Sequence, residues 1–190
     1  CICGFSQPTT GYVVVNDCLI GNKAALKRNP DLKKTANPPY KTMADFSPST
    51  GVIIESPGFL PNETGLRNLM LLADMSGKVD KATARKAMVT LGLGPDEKKP
   101  VGKYSLGQRQ RLGFAQAFME NPDVLILDEP FNGLDKHGVS QMHELILAQK
   151  KKGKTILLSS HSQKDIDVLC DVVCEMDGGV MHCIRDRIEE

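Results

Sequence analysis

Asp128 and Glu129 are the residues of this chain best placed to do chemistry: they follow the apolar run Val124-Leu125-Ile126-Leu127 directly and precede Pro130. Four apolar residues in succession read as a strand buried on both faces. Burying a charge without a partner is costly, so a strand that ends in two carboxylates aims them at a cation or a reacting group. In that arrangement one acid can hold Mg²⁺ and the other can activate a water. The plain alternative is a buried strand whose acids meet solvent at its C-terminal end. A second buried strand, Thr155-Ile156-Leu157-Leu158, runs into Ser159-Ser160-His161. A lone histidine after a strand is more often structural than catalytic. Two strands of one type could nonetheless bring His161 to the same sheet edge as Asp128 and Glu129.

These groups need elements to hold them. From Gln108 to Glu120 apolar residues recur at helical spacing, and Asn121-Pro122 ends the run. Ser105 and Gly107 therefore stand where a loop becomes a helix. The free N–H groups and positive dipole end of a helix suit a phosphate there, whereas a bare reading makes Ser105 an N-cap. Tyr12 to Ile20 is β-like, centred on Val13-Val14-Val15. Gly51-Val52-Ile53-Ile54 is a buried strand ending at Glu55. Residues 62 to 120 are mostly helical, with Ala84, Ala87, Met88 and Leu91 on one face and Gly92 ending that helix. A helix joins the two buried strands with Val139, Met142, Leu145 and Ile146 inward. Val172 to Met176 and Val180 to Ile184 flank Asp177-Gly178-Gly179 as a hairpin.

Composition bounds the function class. With 190 residues, 41% hydrophobic, the chain can build a real core as one domain with a smaller subdomain. No apolar run approaches the length of a membrane span, so membrane contact would come through a partner. A net charge of +1 offers no reason to invoke nucleic acid, and Lys150-Lys151-Lys152 reads as a solvated helix tail. The six cysteines (Cys1, Cys3, Cys18, Cys170, Cys174, Cys183) form no paired C-x-x-C pattern and are expected as reduced core thiols.

Taken together, these motifs resemble the nucleotide-binding subunit of an ATP-binding-cassette (ABC) transporter. Tyr104-Ser105-Leu106-Gly107-Gln108 is similar to the family's signature loop and Val124 to Glu129 to its Walker B strand. Gly133-Leu134-Asp135 resembles the D-loop, and His161 the switch histidine. Order and spacing agree across all four. Ile54-Glu55-Ser56-Pro57-Gly58-Phe59-Leu60-Pro61-Asn62, with Thr64-Gly65-Leu66-Arg67-Asn68-Leu69, resembles the Q-loop region of bacitracin- and lantibiotic-type exporters. The resemblance covers nearly all of residues 1–22 and 46–184. Residues 23–45 match least and are expected to form a surface insertion or long loop, with Asn29-Pro30, Asn37-Pro38-Pro39 and several lysines.

The resemblance implies an α/β, P-loop NTPase-like ABC ATPase domain: a mostly parallel core sheet, an antiparallel β subdomain and a helical signature subdomain. The expected division of a single partial domain over 1–190 is 1–61 (β subdomain, insertion and Q-loop region), 62–120 (helical signature subdomain) and 121–190 (Walker B and switch-histidine core with the C-terminal hairpin). It implies ATP and Mg²⁺ as ligands, with Asp128 on the metal, Glu129 as general base and His161 against the γ-phosphate. Ser105, Gly107 and Gln108 would contact ATP held by a second ABC ATPase subunit, with Asp135 across the dimer seam. Glu55 would ligate Mg²⁺ through water. An integral membrane permease would be the other partner, placing the protein peripherally on the cytoplasmic face of the cell membrane.

Three departures accompany it. The 190 residues contain no Gly-x-x-x-x-Gly-Lys-Ser/Thr loop to cradle phosphates. Gly153-Lys154-Thr155 fails as one, because Ala148 replaces the first Gly and the segment leads from helix into strand. Cys1 to Gly11 resembles the stretch directly after the Walker A helix, so a fragment lacking the first strand, P-loop and helix is expected, inactive by itself. Leu106 replaces a signature Gly, and Glu55 stands where many relatives have Gln; the exporter branch tolerates both. The leading expectation is the ATPase of a peptide-antibiotic or lantibiotic exporter. The alternatives are a P-loop-less, non-hydrolytic regulatory partner and a non-transport ABC ATPase.

Overall fold

In the computed structural model residues 2–3, 5–6, 8–33, 40–47, 49–55 and 57–186 are described, with the side chains of 22–24 and 33 excepted. Cys1, Gly4, Gln7, Lys34, Asn37-Pro38-Pro39 and Ser56 lie outside them. The chain divides into two compact units, Cys1–Thr50 and Gly51–Glu190.

In the first unit, the expected β stretch from Tyr12 to Ile20 is a hairpin. Strand β1 (Val13–Val15) pairs antiparallel with β2 (Cys18–Ile20). Asn16 and Asp17 between them take φ of 49° and 58°, the left-handed pair that a two-residue hairpin turn demands. Asn-Asp between two apolar triplets was the available signal. Helix α1 (Asn22–Arg28) and strand β3 (Thr42–Ala44), parallel to β2, come from the region expected to be a surface insertion. That expectation is corrected over its described part: Ala25 and Leu32 are buried with Leu19, and Val14, Leu26 and Tyr40 pack against them as a small core.

The second unit is built on a sheet in the order β4 (Thr50–Ile53), β5 (Val124–Asp128), β6 (Thr155–Ser159). β5 and β6 are parallel, in register from Val124↔Thr155 to Asp128↔Ser159. Between β4 and β5 come α2 (Gly65–Ser76), α3 (Lys81–Thr90) and α4 (Leu106–Met119). Each starts at a side-chain cap: Thr64, Asp80 and Ser105 accept from the backbone N–H three residues on. Hydrogen bonds from Thr83 hold the Asp80 carboxyl below its usual range. Helix α5 (Lys136–Lys150) links β5 to β6, and α6 (Gln163–Leu169) leads to the hairpin β7 (Val172–Asp177) and β8 (Val180–Asp186).

One apolar cluster joins helices to sheet, with Leu69, Met88, Leu91, Leu112, Phe114, Leu125, Leu127, Met142 and Ile146 all essentially inaccessible. The expected helices, their inward faces and the C-terminal hairpin therefore stand, α4 starting two residues earlier than its periodicity suggested. Val139 and Leu145 are only partly buried, while Met142 and Ile146 are fully so. Two expectations change. β6 is not a buried strand: Leu157 is 49% exposed, since β6 has β5 on one side and is the outermost strand of this sheet. The cysteines are not uniformly core thiols, because Cys174 and Cys183 are exposed on the hairpin while Cys18 is buried. Among the described residues no helix is long and apolar enough to cross a membrane.

Candidate functional site

The parallel register of β5 and β6 sets Asp128 directly beside Ser159. The Ser159 hydroxyl donates to Asp128 Oδ1, and the Glu129 N–H donates to both the carbonyl and the hydroxyl oxygen of Ser159, each at 3.2 Å. Glu129 takes φ of 43°, unusual for a residue with a β-carbon, and this turns its side chain out of the strand's alternation. Its Oε1 lies 3.4 Å from Nε2 of His161. The two strand ends thus bring Asp128, Glu129 and His161 together. The histidine side chain is 99% exposed, so it is free to meet a ligand and is not a structural core histidine.

The turn after β5 is anchored from below. Buried Gln110 of α4 donates from Nε2 to the Pro130 carbonyl at 2.7 Å. Gly133 sits at φ of +77°, and a β-carbon there would run into Leu106. A β-carbon on Gly107 would stand 2.9 Å from the Gly133 carbonyl. The 105–107 corner and the 133–135 turn are therefore packed together within one chain. Asp135 caps α5, its Oδ1 accepting from Gly138 N–H at 2.7 Å. Ser105 and Gln108 form a capping box: Gln108 N–H donates to Ser105 Oγ at 3.1 Å, and Ser105 N–H to Gln108 Oε1 at 3.0 Å. Lys99 Nζ also reaches Gln108 Oε1, at 3.1 Å. Beside this corner, burial raises the Tyr104 phenol above its usual range, with Glu97 adding to the shift.

Glu55 is exposed at φ of 48°, two residues beyond β4. The following Pro57 presses on α4, where a β-carbon on Gly113 would meet its ring at 2.5 Å. Phe59 packs on the core while Leu60 is exposed. Asn68, nearly fully buried, clamps this loop through Leu60 N–H at 2.8 Å and the carbonyls of Leu60 and Thr64. Gly153-Lys154-Thr155 has a structural task. Lys154 Nζ bonds Asn121 Oδ1 at 2.5 Å, and desolvation lowers its pKa.

Sequence reasoning passed over several supporting groups. Gln110 shares the buried helical face of Gly113, Phe114 and Ala117, and a polar residue on that face was the signal. Arg111 joins three helices through the Leu91 carbonyl at 3.0 Å and Gln141 Oε1 at 2.6 Å. His143 and Asp165 form a buried pair, Nε2 to Oδ1 at 2.9 Å; the His143 ring meets Phe131 edge-on at 4.9 Å, and Ser160 Oγ reaches Asp165. No local pattern announces that pair, which lies 22 residues apart in sequence.

The chemistry at this edge suits Mg²⁺. Asp128, Glu129 and the Ser159 hydroxyl are hard oxygen donors, and Asp128 keeps a second oxygen beyond the one Ser159 engages. Among the described residues no group of three His, Cys, Asp or Glu could hold a metal alone.

A family model described as ABC transporter matches residues 1–132. A bacitracin transport ATP-binding protein of Enterococcus faecalis is 44% identical over 133 residues, 70% of this chain and 42% of the relative. The protein of the same description from Bacillus licheniformis is 40% identical over 144 residues, 75% of this chain and 45% of the relative. A lantibiotic transport ATP-binding protein of Streptococcus pyogenes is 39% identical over 123 residues, 65% and 53% of the two chains. The chain spans about half the length of the curated relatives it matches.

Proposed function

The chain belongs to the ABC transporter family, in the branch of bacitracin and lantibiotic transport ATP-binding proteins, and from that premise we propose that it forms part of the ATPase that drives export of a peptide antibiotic. The observation that supports this most is the meeting of Glu129 and His161 at 3.4 Å beside an Asp128 oriented by Ser159. ATP with Mg²⁺, when bound, supplies the phosphoanhydride and the charge that offsets its phosphates. Asp128 would offer its second oxygen to the metal, and Glu55 would ligate it through water. Glu129 accepts the proton of the attacking water. His161 donates to the γ-phosphate from the exposed position in which it stands. Catalysis in such a site is mostly positioning and charge stabilisation.

Ser105, Gly107 and Gln108 serve the nucleotide of a second ABC ATPase subunit. The capping box already spends the Ser105 oxygen as an acceptor but leaves its hydroxyl proton to donate. Asp135 lies at the seam between subunits. Exposed Leu60 and its neighbours offer an apolar contact to an integral membrane permease, which holds the protein on the cytoplasmic face of the cell membrane. No nucleic acid is involved. These 190 residues contain no phosphate-cradling Gly-Lys-Ser/Thr loop, so alone they do not turn ATP over.

The test is ATP turnover by the gene product carrying these residues, purified with its membrane subunit. Glu129→Gln should lower kcat on the order of 10²- to 10⁴-fold while ATP binding persists. Turnover that survives Glu129→Gln, or a parent complex that never hydrolyses ATP, would leave a non-hydrolytic partner subunit as the better account.

A further inference from the structure

The hairpin β7–β8 plays no part in the site above, yet it gathers sulfur. Its pairing runs without interruption from Cys174↔Cys183 through Glu175↔His182 and Met176↔Met181 to Asp177↔Val180. The single irregularity falls before it, between Val173 and Cys174. In a regular antiparallel ladder, opposed residues share a face, and so do residues two apart. Cys174, Met176, Met181 and Cys183 therefore occupy one face, while Glu175, Asp177, Val180 and His182 occupy the other. All four sulfur residues are accessible: both cysteines are exposed, and Met176 and Met181 are 67% and 65% exposed. The tight Gly178-Gly179 turn, with φ of 52° and 80°, holds the strands in this register.

We propose that this face is a binding site for a monovalent thiophilic cation, Cu(I), held by the Cys174 and Cys183 thiolates with thioether support from Met176 and Met181. Thiolate and thioether donors together select Cu(I) over harder ions. Directly opposed side chains have Cβ atoms about 4.5–5.5 Å apart, a spacing that two thiolates can bridge with one ion. The diagonal methionines, about 7–8 Å away, are within reach through their long flexible side chains. One carboxylate, Asp186, lies opposite Val172 beyond the irregularity and acts on Cys174, but the four sulfur donors outnumber it. Cys183 Sγ donates to the Arg185 carbonyl at 3.8 Å. Desolvation pushes the Cys174 thiol above its usual range, with neighbouring Cys183 and then Asp186 adding to the shift. Each thiol that ligates the ion gives its proton to solvent, and copper stays at the same oxidation state throughout.

The reduced 190-residue chain, titrated without oxygen against a chromophoric Cu(I) chelator, should retain about one equivalent of Cu(I) at this site. Cys174→Ser/Cys183→Ser should abolish that retention. Met176→Leu/Met181→Leu should raise the dissociation constant on the order of tenfold or more. Circular dichroism should be the same for all three proteins, since the replaced side chains are exposed. Failure of the parent chain to retain Cu(I), or retention by the serine variant, would overturn the proposal. An unchanged constant in the leucine variant would do so as well, since the pair would then be a plain dithiol without the methionines.

Discussion

β5 and β6 carry nearly the same message in sequence, Val-Leu-Ile-Leu-Asp against Thr-Ile-Leu-Leu-Ser, and lie side by side in parallel register. Their surroundings differ sharply. β5 has a strand on each side, and Leu125 and Leu127 are essentially inaccessible; in β6, Leu157 is 49% exposed. The turn after β5 is pinned by Gln110 at Pro130 and by the close packing of Gly133 on Leu106, whereas β6 leads to a His161 side chain open to solvent. The pinned half holds the two carboxylates still. The open half presents the histidine that the proposed function sets against the γ-phosphate. Rigidity and accessibility are thus divided between two strands of like composition.

The contrast can be broken most severely at its buried end. Leu125→Ala should cost about 2–5 kcal/mol of stability through lost burial and the cavity left behind, read by chemical denaturation. A loss below about 1 kcal/mol would mean that the core relaxes around β5 and that the distinction is weaker than drawn. Next comes Gly133→Ala. Here a β-carbon meets Leu106 and the backbone is left-handed, so a loss of about 1–3 kcal/mol is expected. The same variant in the assembled complex should slow ATP turnover, because the Asp135 turn and the Ser105 corner shift together.

Ser159→Ala touches the link between the two strands. It removes the hydroxyl that donates to Asp128 and accepts from Glu129 N–H. About 0.5–1.5 kcal/mol should be lost, while Ser159→Thr, which keeps the hydroxyl, should recover most of it. The smallest stability effects belong to the open half. Leu157→Ala and His161→Ala should each change stability by no more than about 0.5 kcal/mol. His161→Ala should nevertheless cut turnover of the assembled ATPase on the order of 10²-fold. A His161→Ala protein that is destabilised but still hydrolyses ATP normally would reverse the roles assigned to the two halves.

Much of the site was legible because its elements are local. The capping box at Ser105 and Gln108, the helical faces of α3 and α5 and the Gly178-Gly179 hairpin each follow from residues within a few positions of one another. The hairpin at Asn16-Asp17 was equally local, its turn pair standing between two apolar triplets. Residues 23–45 misled for another reason: Pro, Asn and Lys dominate their appearance, while the apolar positions Ala25 and Leu32 that build a small core are few. The links at Gln110, Arg111 and the His143–Asp165 pair join residues 20 to 30 positions apart, where no short pattern can reach.

By itself, the sequence picked out the residues proposed to carry chemistry and the elements that hold them, since motif order, helical periodicity, caps and turns depend on neighbours along the chain. It could not determine which of two similar apolar strands is enclosed, or that Glu129 turns out of its strand to face His161. Those outcomes depend on sheet order, strand register and what packs on each side. Such contacts form between segments far apart in the chain, and only the folded structure brings them together.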